Sequence, residues 1–250
     1  MTVRRFALLI GSNRATSSTL PGVDKDMTDF ATFLRSDGGG AWEPNEMLSI
    51  PAPSLTGLSS VLALTRTDVD YLLLVFGGHG GCDPDTRKSY VCLNDRDNIP
   101  VSELGNRARR QLIISDACRT LEPMILPEST VKVSGSRPVL AAPVPTYRQT
   151  CRALYDAAIA GAEEGTVVMH SCSVNQEAGD THLGGVFTQL LLRMCRYWAQ
   201  DTSDGLFARS VRRVDDVFPD LKRRTTEKNY PQEPVLQHGR RRIMFPIAVA

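Results

Sequence analysis

The sequence predicts an α/β fold with a mainly parallel, six-stranded sheet and helices on both of its faces. Short apolar runs alternate along the chain with segments whose apolar residues recur at helical spacing. Two of these runs, residues 71–76 and 111–115, are almost wholly apolar, as is typical of strands buried on both faces of a parallel sheet. Strands that alternate with helices favour such a sheet, because each crossover helix packs on one of its faces.

The remaining elements follow from the same patterns. Strands are predicted at residues 5–10, 46–50, 165–171 and 242–249, and residues 90–93 fit a small hairpin. Helices are predicted at residues 24–35, after the N-cap Ser54, and at 101–108, 147–162, 186–198 and 206–218. Residues 121–150 contain many prolines and are predicted to form a long irregular loop. We find no repeat and no boundary, so residues 1–250 are interpreted as one domain.

Composition excludes several classes of protein. The 250 residues are 42% hydrophobic, which is ample for a core, and the net charge of +1 gives no electrostatic case for nucleic acid or membrane binding. No apolar run is long enough to span a bilayer, and the first strand is too short for a signal peptide. The six cysteines lack paired spacing, so we expect free thiols in the cytoplasm and no metal site.

A cysteine and a histidine each follow one of the two apolar runs. Cys118 comes three residues after Ser115, and His79 lies within Gly77-Gly78-His79-Gly80-Gly81. Side chains just beyond the carboxyl ends of parallel strands point into the crevice where such sheets bind ligands. If the two strands are neighbours, the sequence therefore predicts a thiol and an imidazole across one cleft, the pair that a cysteine nucleophile requires.

Five blocks of sequence resemble the caspase and metacaspase superfamily of cysteine peptidases, in a compact bacterial form. The blocks are residues 6–13, 20–26, 74–80, 114–119, and 171–176 followed by 185–188. Each block alone is weak evidence for the resemblance, but their order and spacing together are specific to the superfamily. The resemblance implies a caspase-like fold for most of the chain and hydrolysis of protein substrates.

The resemblance also implies roles for individual residues. Cys118 matches the nucleophile and His79 its partner, and the N–H groups of Gly80 and Cys118 match the oxyanion hole. Asp26 and Asp116 match the primary pocket of metacaspases, which takes Arg and, less well, Lys. Two carboxylates in one pocket favour a cationic guest. The substrate-binding positions of relatives also match Ser171, Cys172, Ser173 and Asp180.

The resemblance further suggests how activity is controlled. The 121–150 loop matches the place where caspases are cut, and Lys132, Arg137 and Arg148 are its basic candidates for self-cleavage. An activating protein or an upstream protease is the alternative trigger. No cofactor is expected; some metacaspases need calcium, but no dense acidic loop here indicates a calcium site. Analogy with bacterial members suggests a role in stress or antiviral defence.

Two other interpretations stay open. A caspase-fold pseudoenzyme would act as an interaction scaffold, although such a protein has no need for both His79 and Cys118. The glycines at 77–81 could instead cradle phosphate, but the GxGxxG and GKS/GKT patterns are missing. Small arginine clusters at 212–213, 223–224 and 240–242 are interpreted as a solvated face.

Overall fold

The computed structural model describes residues 3–13, 19–65, 69–124, 147–202, 210–227 and 232–250. In chain order the strands are β1 (Arg5–Ser12), β2 (Met47–Pro51), β3 (Tyr71–Gly78), β4 (Gly80–Cys82), β5 (Ser89–Cys92), β6 (Asn98–Pro100), β7 (Arg110–Asp116), β8 (Gly165–His170), β9 (Asp180–Thr181), β10 (Gly184–Gly185), β11 (Val211–Arg213), β12 (Val235–Gln237) and β13 (Pro246–Val249). The helices are α1 (Val23–Arg35), α2 (Leu55–Leu64), α3 (Tyr147–Gly161), α4 (Val186–Thr202) and α5 (Val214–Glu227).

Six strands form the central sheet in the order β12-β8-β7-β3-β1-β2. All neighbours are parallel except β12, which runs antiparallel to β8 at one edge. The predicted six-stranded, mainly parallel sheet is therefore confirmed. Small sheets of two or three strands, β4-β5-β6, β9-β10 and β11-β13, surround it.

The side chains of each central strand alternate between two hydrophobic cores, as the pleat of a strand requires. In β1, Ala7 and Leu9 join the larger core, to which α1, α3, α4 and α5 contribute. Leu8 and Ile10 join the second core, which α2 and strand β5 cover. Helices on both faces were predicted, and the two cores confirm them. Ser54 caps α2 as predicted, because its hydroxyl accepts a hydrogen bond from the Gly57 N–H at 3.1 Å.

Two predicted helices are wrong in part. Residues 101–108 form only a short 3₁₀ turn, Val101–Glu103. Beyond it the Asn106 side chain accepts a bond from the Ala108 N–H at 2.7 Å, which offers the backbone an alternative to a helix. The helix expected at 206–218 begins at Val214 instead, and the three residues before it pair with β13.

The sixth strand was also assigned wrongly. It is β12, whereas the predicted strand at 242–249 shortens to β13 and pairs with β11 outside the central sheet. β13 begins at Pro246, as is common for a proline in a strand, because proline has no N–H to donate to a ladder. In the predicted 121–150 loop, residues 125–146 lie outside the described residues, and α3 begins at Tyr147.

A buried arginine joins β1 to the surrounding layers. The Arg5 guanidinium lies 3.0 Å from Asp156 Oδ1 and 3.4 Å from Glu46 Oε2, and it stacks 4.4 Å from the centre of the Trp42 ring. Its Nη2 also donates to the Gly40 carbonyl at 2.7 Å. Removing this cation leaves the largely buried carboxylates of Glu46 and Asp156 with less compensation for their negative charge.

We therefore expect Arg5→Ala to lower the free energy of unfolding by about 3–5 kcal/mol, the usual cost of breaking a buried ion pair. The adjacent Arg4 pairs with Asp70 at the surface, so Arg4→Ala is a matched control, with an expected loss of about 1 kcal/mol or less. Urea unfolding of the two variants measures the difference. Equal losses would show that the buried cluster contributes no more than a surface pair.

Candidate active site

The two strands that precede the predicted catalytic residues are neighbours. β3 and β7 pair in parallel, with Gly77 opposite Asp116. His79 and Cys118 each follow two residues later, so both leave the sheet at the same level of the same edge. A side chain on Gly80 would begin 2.9 Å from Ala117 Cβ and 3.1 Å from the Cys118 carbonyl oxygen. The absence of a side chain at Gly80 thus lets the segment after His79 pass directly against the segment that carries Cys118.

The Cys118 thiol is half-buried and accepts a hydrogen bond from the Ala178 N–H at 3.3 Å. Burial raises the pKa of this thiol, and the nearby carboxylates of Glu177 and Asp116 raise it further, while the Ala178 N–H opposes them. The sulfur is therefore protonated at neutral pH in this arrangement.

His79 lies near enough to the small hairpin β9-β10 for its charge to act on Asp180. Its carbonyl accepts a bond from the Cys92 N–H at 2.9 Å, which ties the histidine segment to the β4-β5-β6 sheet. Burial raises the pKa of Asp180, and the charge of His79 works in the opposite direction. Asp180 Oδ2 also accepts a bond from the Gly22 N–H at 3.2 Å, which joins the hairpin to the start of α1.

The two predicted pocket acids lie close to each other and are buried, with exposures of 2% for Asp26 and 7% for Asp116. Both accept hydrogen bonds from the beginning of α4. Asp26 binds the Gly185 N–H and the Gln189 amide, each at 2.7 Å. Asp116 binds the Thr188 hydroxyl at 2.6 Å and the Thr188 N–H at 3.2 Å. The carboxylates thus satisfy N–H groups that the first turn of a helix leaves without partners.

Burial raises the pKa of both carboxyl groups. For Asp26 the pKa reaches about 7, with burial as the largest cause and the charge of Asp116 as the second. For Asp116 burial also dominates, and bonds from Thr188 and Ser171 oppose it. Near neutral pH the pair therefore does not carry two full charges in this arrangement.

A small cavity of about 30 Å³ lies between these groups, lined among others by Asp26, Asp116, Cys118 and Asp180. Such a volume holds about two water molecules. Gly185 separates the acids, since a side chain there would begin 2.5 Å from Asp116 Oδ2 and 3.0 Å from Asp26 Oδ2. The structure brings the predicted pocket residues together and leaves no room for an arginine side chain between them.

Three other predicted substrate-binding residues do not line this cavity. Ser171 and Cys172 are fully buried, and both direct their side chains at the Ala117 carbonyl. Burial raises the pKa of the Cys172 thiol to about 12. The Ser173 hydroxyl donates to the Glu233 carbonyl at 3.1 Å. In this structure the three residues support the loop after β8, and a direct contact with substrate stays a prediction.

Comparisons with known proteins identify the family of this chain. The family model for the caspase domain matches residues 4–243, nearly the whole chain. The chain belongs to the caspase-domain family. The crystal structure of caspase-1 from Spodoptera frugiperda superposes with a TM-score of 0.58 at 13% sequence identity, covering 96% of this chain and 90% of that chain. At this identity the superposition shows the fold alone. A comparison with curated protein sequences finds no significant match.

Membership in the caspase-domain family indicates a cysteine-peptidase type of hydrolase with protein substrates. Among the described residues, no group of three or more His, Cys, Asp or Glu side chains is arranged to hold a metal ion. Within the same ranges no helix has the length and hydropathy needed to cross a membrane.

Several residues of this caspase-domain site have no role in the sequence analysis. Ala178, Gly185, Thr188 and Gln189 supply the donors to Cys118 and to the two acids. Residues 185–188 belong to the blocks that resemble the superfamily, but their sequence does not indicate that they would bind Asp26 and Asp116. Gln232, 2% exposed, donates to the Ser171 carbonyl and accepts from the Gly179 N–H.

The residues proposed for self-cleavage divide into two groups. Lys132 and Arg137 lie outside the described residues. Arg148 lies in α3, and its guanidinium donates to the Arg35 carbonyl at 2.6 Å and to Glu43 at 3.2 Å. Proteases act on accessible, extended segments, so the structure argues against cleavage after Arg148.

The raised pKa of Asp26 predicts a dependence of stability on pH. Between the unfolded value of 3.8 and about 7 the folded chain binds more protons at Asp26 than the unfolded chain does. The free energy of unfolding therefore falls as pH rises through this window, by up to about 1.4 kcal/mol per pH unit from this group. Asp26→Asn should flatten the profile between pH 4 and 7, measured by urea unfolding. Asp24→Asn, at an exposed position of the same helix, is the control; an unchanged Asp26→Asn profile would contradict the assignment.

Proposed function

We propose that this caspase domain is a cysteine endopeptidase that cleaves proteins after arginine and, less well, after lysine. Cys118 acts as the nucleophile, and His79 acts as general base and acid. The enzyme works in the cytoplasm and needs no cofactor. The observation that carries the proposal is the parallel pairing of β3 with β7, because His79 and Cys118 follow the ends of these two neighbouring strands. Asp26 and Asp116 line a cavity together with Cys118, which supports a pocket for a cation beside the thiol.

The proposed chemistry follows from these groups. His79 takes the proton of the Cys118 thiol, and the thiolate attacks the scissile carbonyl carbon to form a tetrahedral intermediate. The N–H groups of Gly80 and Cys118 donate to its oxyanion. Collapse to the acyl-enzyme breaks the peptide bond, and His79 gives its proton to the leaving amine. Water then hydrolyses the thioester and regenerates the thiol.

The preference for arginine rests on Asp26 and Asp116. A guanidinium can donate to two carboxylate oxygens at once, whereas an ammonium presents a single charged nitrogen. The arrival of a cation would also favour the ionised form of both acids, whose pKa values are raised while they are buried without one. Substrates with aspartate at the cleavage site would meet like charge.

The closed cavity supports a latent form that requires activation. An arginine side chain can reach the acids only if Gly185 and the β9-β10 hairpin move away, which breaks the bonds from Gly185 and Gln189 to Asp26. The Ala178 N–H lies against Cys118 on the same segment, so one movement would uncover both the thiol and the pocket. Processing of the chain or binding of a partner would supply that movement.

Hydrolysis of fluorogenic peptides that end in Arg, Lys or Asp tests the proposal. We expect the order Arg, then Lys, with no turnover after Asp. Cys118→Ala and His79→Ala should each lower kcat/KM at least about a thousandfold. Asp116→Asn should lower kcat/KM for the Arg peptide about a hundredfold, since one partner of a buried charge pair is lost.

The control for the cysteine is Cys195→Ala, which removes a fully buried thiol from the middle of α4, beyond the residues of that helix that bind the two acids. Turnover that survives Cys118→Ala would overturn the assignment of the nucleophile. Complete inactivity of a folded, processed chain would favour the interaction scaffold instead. Selective cleavage after Asp would leave the nucleophile in place and remove the role of the two acids.

Self-processing is tested separately. Purified wild type should fragment on incubation, and Cys118→Ala should stay intact under the same conditions. Lys132→Gln combined with Arg137→Gln should slow the fragmentation, while Arg148→Gln should not, because Arg148 is held within α3. Mass spectrometry of the fragments identifies the cut. Equal fragmentation of wild type and Cys118→Ala would show that a contaminating protease is responsible.

A further inference from the structure

A second cavity, of about 230 Å³, lies beside the residue that follows the predicted nucleophile. It is lined by Arg119 and His170 from the interior and by Arg87 and Lys88 from the turn before β5. None of the described residues that line it is acidic. The cavity therefore concentrates positive charge and hydrogen-bond donors in a chain whose net charge is only +1.

Arg119 is a buried cation without a carboxylate. It is 6% exposed, and among the described residues no Asp or Glu lies within ion-pair distance of its guanidinium. Nε donates to the Ser89 hydroxyl at 2.7 Å and Nη1 donates to the Cys172 carbonyl at 3.0 Å. Nη2 has no partner among the described residues. Buried guanidinium groups are usually paired, so this one is suited to an anion from outside.

His170 adds an unsatisfied atom to the same cavity. Its side chain is 2% exposed, and Nδ1 has no hydrogen-bond partner in the described part of the chain. The Gln237 side chain lines the same cavity beside the ring. A buried ring nitrogen without a partner is unfavourable, and an oxygen atom of a ligand would provide the missing bond.

Hydrogen bonds hold the turn that carries the two exposed cations. The Asp83 carboxylate accepts bonds from the N–H and the hydroxyl of Thr86, both at 2.8 Å, and the Asp83 N–H donates to the Lys88 carbonyl at 2.9 Å. Arg87 adopts a positive φ of 57°, which is unusual for a residue with a side chain. The turn thus holds Arg87 and Lys88 at the mouth of the cavity at some cost in backbone energy.

We propose that this cavity binds the phosphoryl group of a small phosphorylated molecule. Arg119 and His170 would contact the oxygens from inside, and Arg87 and Lys88 would neutralise the dianion from the turn. Three cationic side chains with no acid fit a doubly charged group better than a carboxylate or a neutral ligand, and guanidinium groups match phosphate oxygens in geometry. The site is separate from the peptidase chemistry and does not depend on it.

Calorimetric titration with inorganic phosphate, with adenosine 5′-monophosphate and with adenosine tests the proposal at constant ionic strength in chloride. We expect saturable binding of at least one of the two phosphates, up to about 10 mM ligand, and none of adenosine. Tighter binding of the monophosphate identifies an ester as the ligand, and equal binding identifies free phosphate. The double variant Arg87→Gln/Lys88→Gln should weaken binding about tenfold or more.

The matched control is Arg109→Gln/Lys222→Gln, which removes the same charge from exposed ion pairs elsewhere and should bind like wild type. Cys118→Ala should also bind like wild type, so a failed peptidase proposal does not affect this result. In wild type, whichever of inorganic phosphate and adenosine 5′-monophosphate binds should shift the ¹⁵N resonance of His170 Nδ1, which His170→Gln identifies among the four histidines. Absence of saturable binding for both of these ligands, equal binding by the Arg87→Gln/Lys88→Gln variant, or a His170 resonance that the bound ligand leaves unmoved would each overturn the proposal.

Discussion

Two carboxylates buried beside Cys118 need hydrogen-bond donors, and this requirement organises the site. Asp26 sits on α1 and Asp116 at the end of β7, yet both find their donors at the first turn of α4. The same bonds hold the start of α4, the β9-β10 hairpin and the sheet edge together. In this arrangement the start of the helix occupies the position that a cationic substrate would need under the proposed function, so helix capping and the proposed substrate binding would compete for the same oxygen atoms.

The segment that closes the space beside the two acids also contacts the Cys118 thiol. The segment that blocks the acids continues back to Ala178, whose N–H lies on the sulfur. Burial and neighbouring acids raise the pKa of Cys118 while the segment is in place. Arg119, the next residue, exchanges backbone bonds with Gln176 and Asn175 on that segment. Cys118, Asp26 and Arg119 therefore each accept hydrogen bonds from, or donate them to, the one stretch of chain between β8 and α4.

Strands that are determined by the local sequence were predicted correctly. Contacts between residues far apart in the chain were not predicted. The strands before His79 and Cys118 are long apolar runs that end in glycine or in Ser-Asp, and that pattern predicts both strands. Their pairing was only a condition of the prediction, and the structure supplies it. The closed pocket depends on Asp26 meeting Gly185, which lies 159 positions away. No periodicity encodes such a contact. The shortened 101–108 helix reflects Asn106, whose side chain binds the backbone beyond the 3₁₀ turn, so local chemistry overrides an apolar pattern there. The sixth strand was misplaced because its apolar pattern does not specify which strand it pairs with.

Gly22 illustrates what the closed arrangement costs elsewhere. It occupies the N-cap of α1 and offers the helix no side-chain acceptor, where Ser, Thr, Asp or Asn would normally stand. A side chain there would begin 2.2 Å from Asp180 Oδ1 and 2.5 Å from the Thr181 carbonyl oxygen. The residue types that would improve the helix are the ones that the hairpin cannot accommodate. Selection for a more thermostable chain would therefore have to leave this position alone and find its gains in other parts of the molecule.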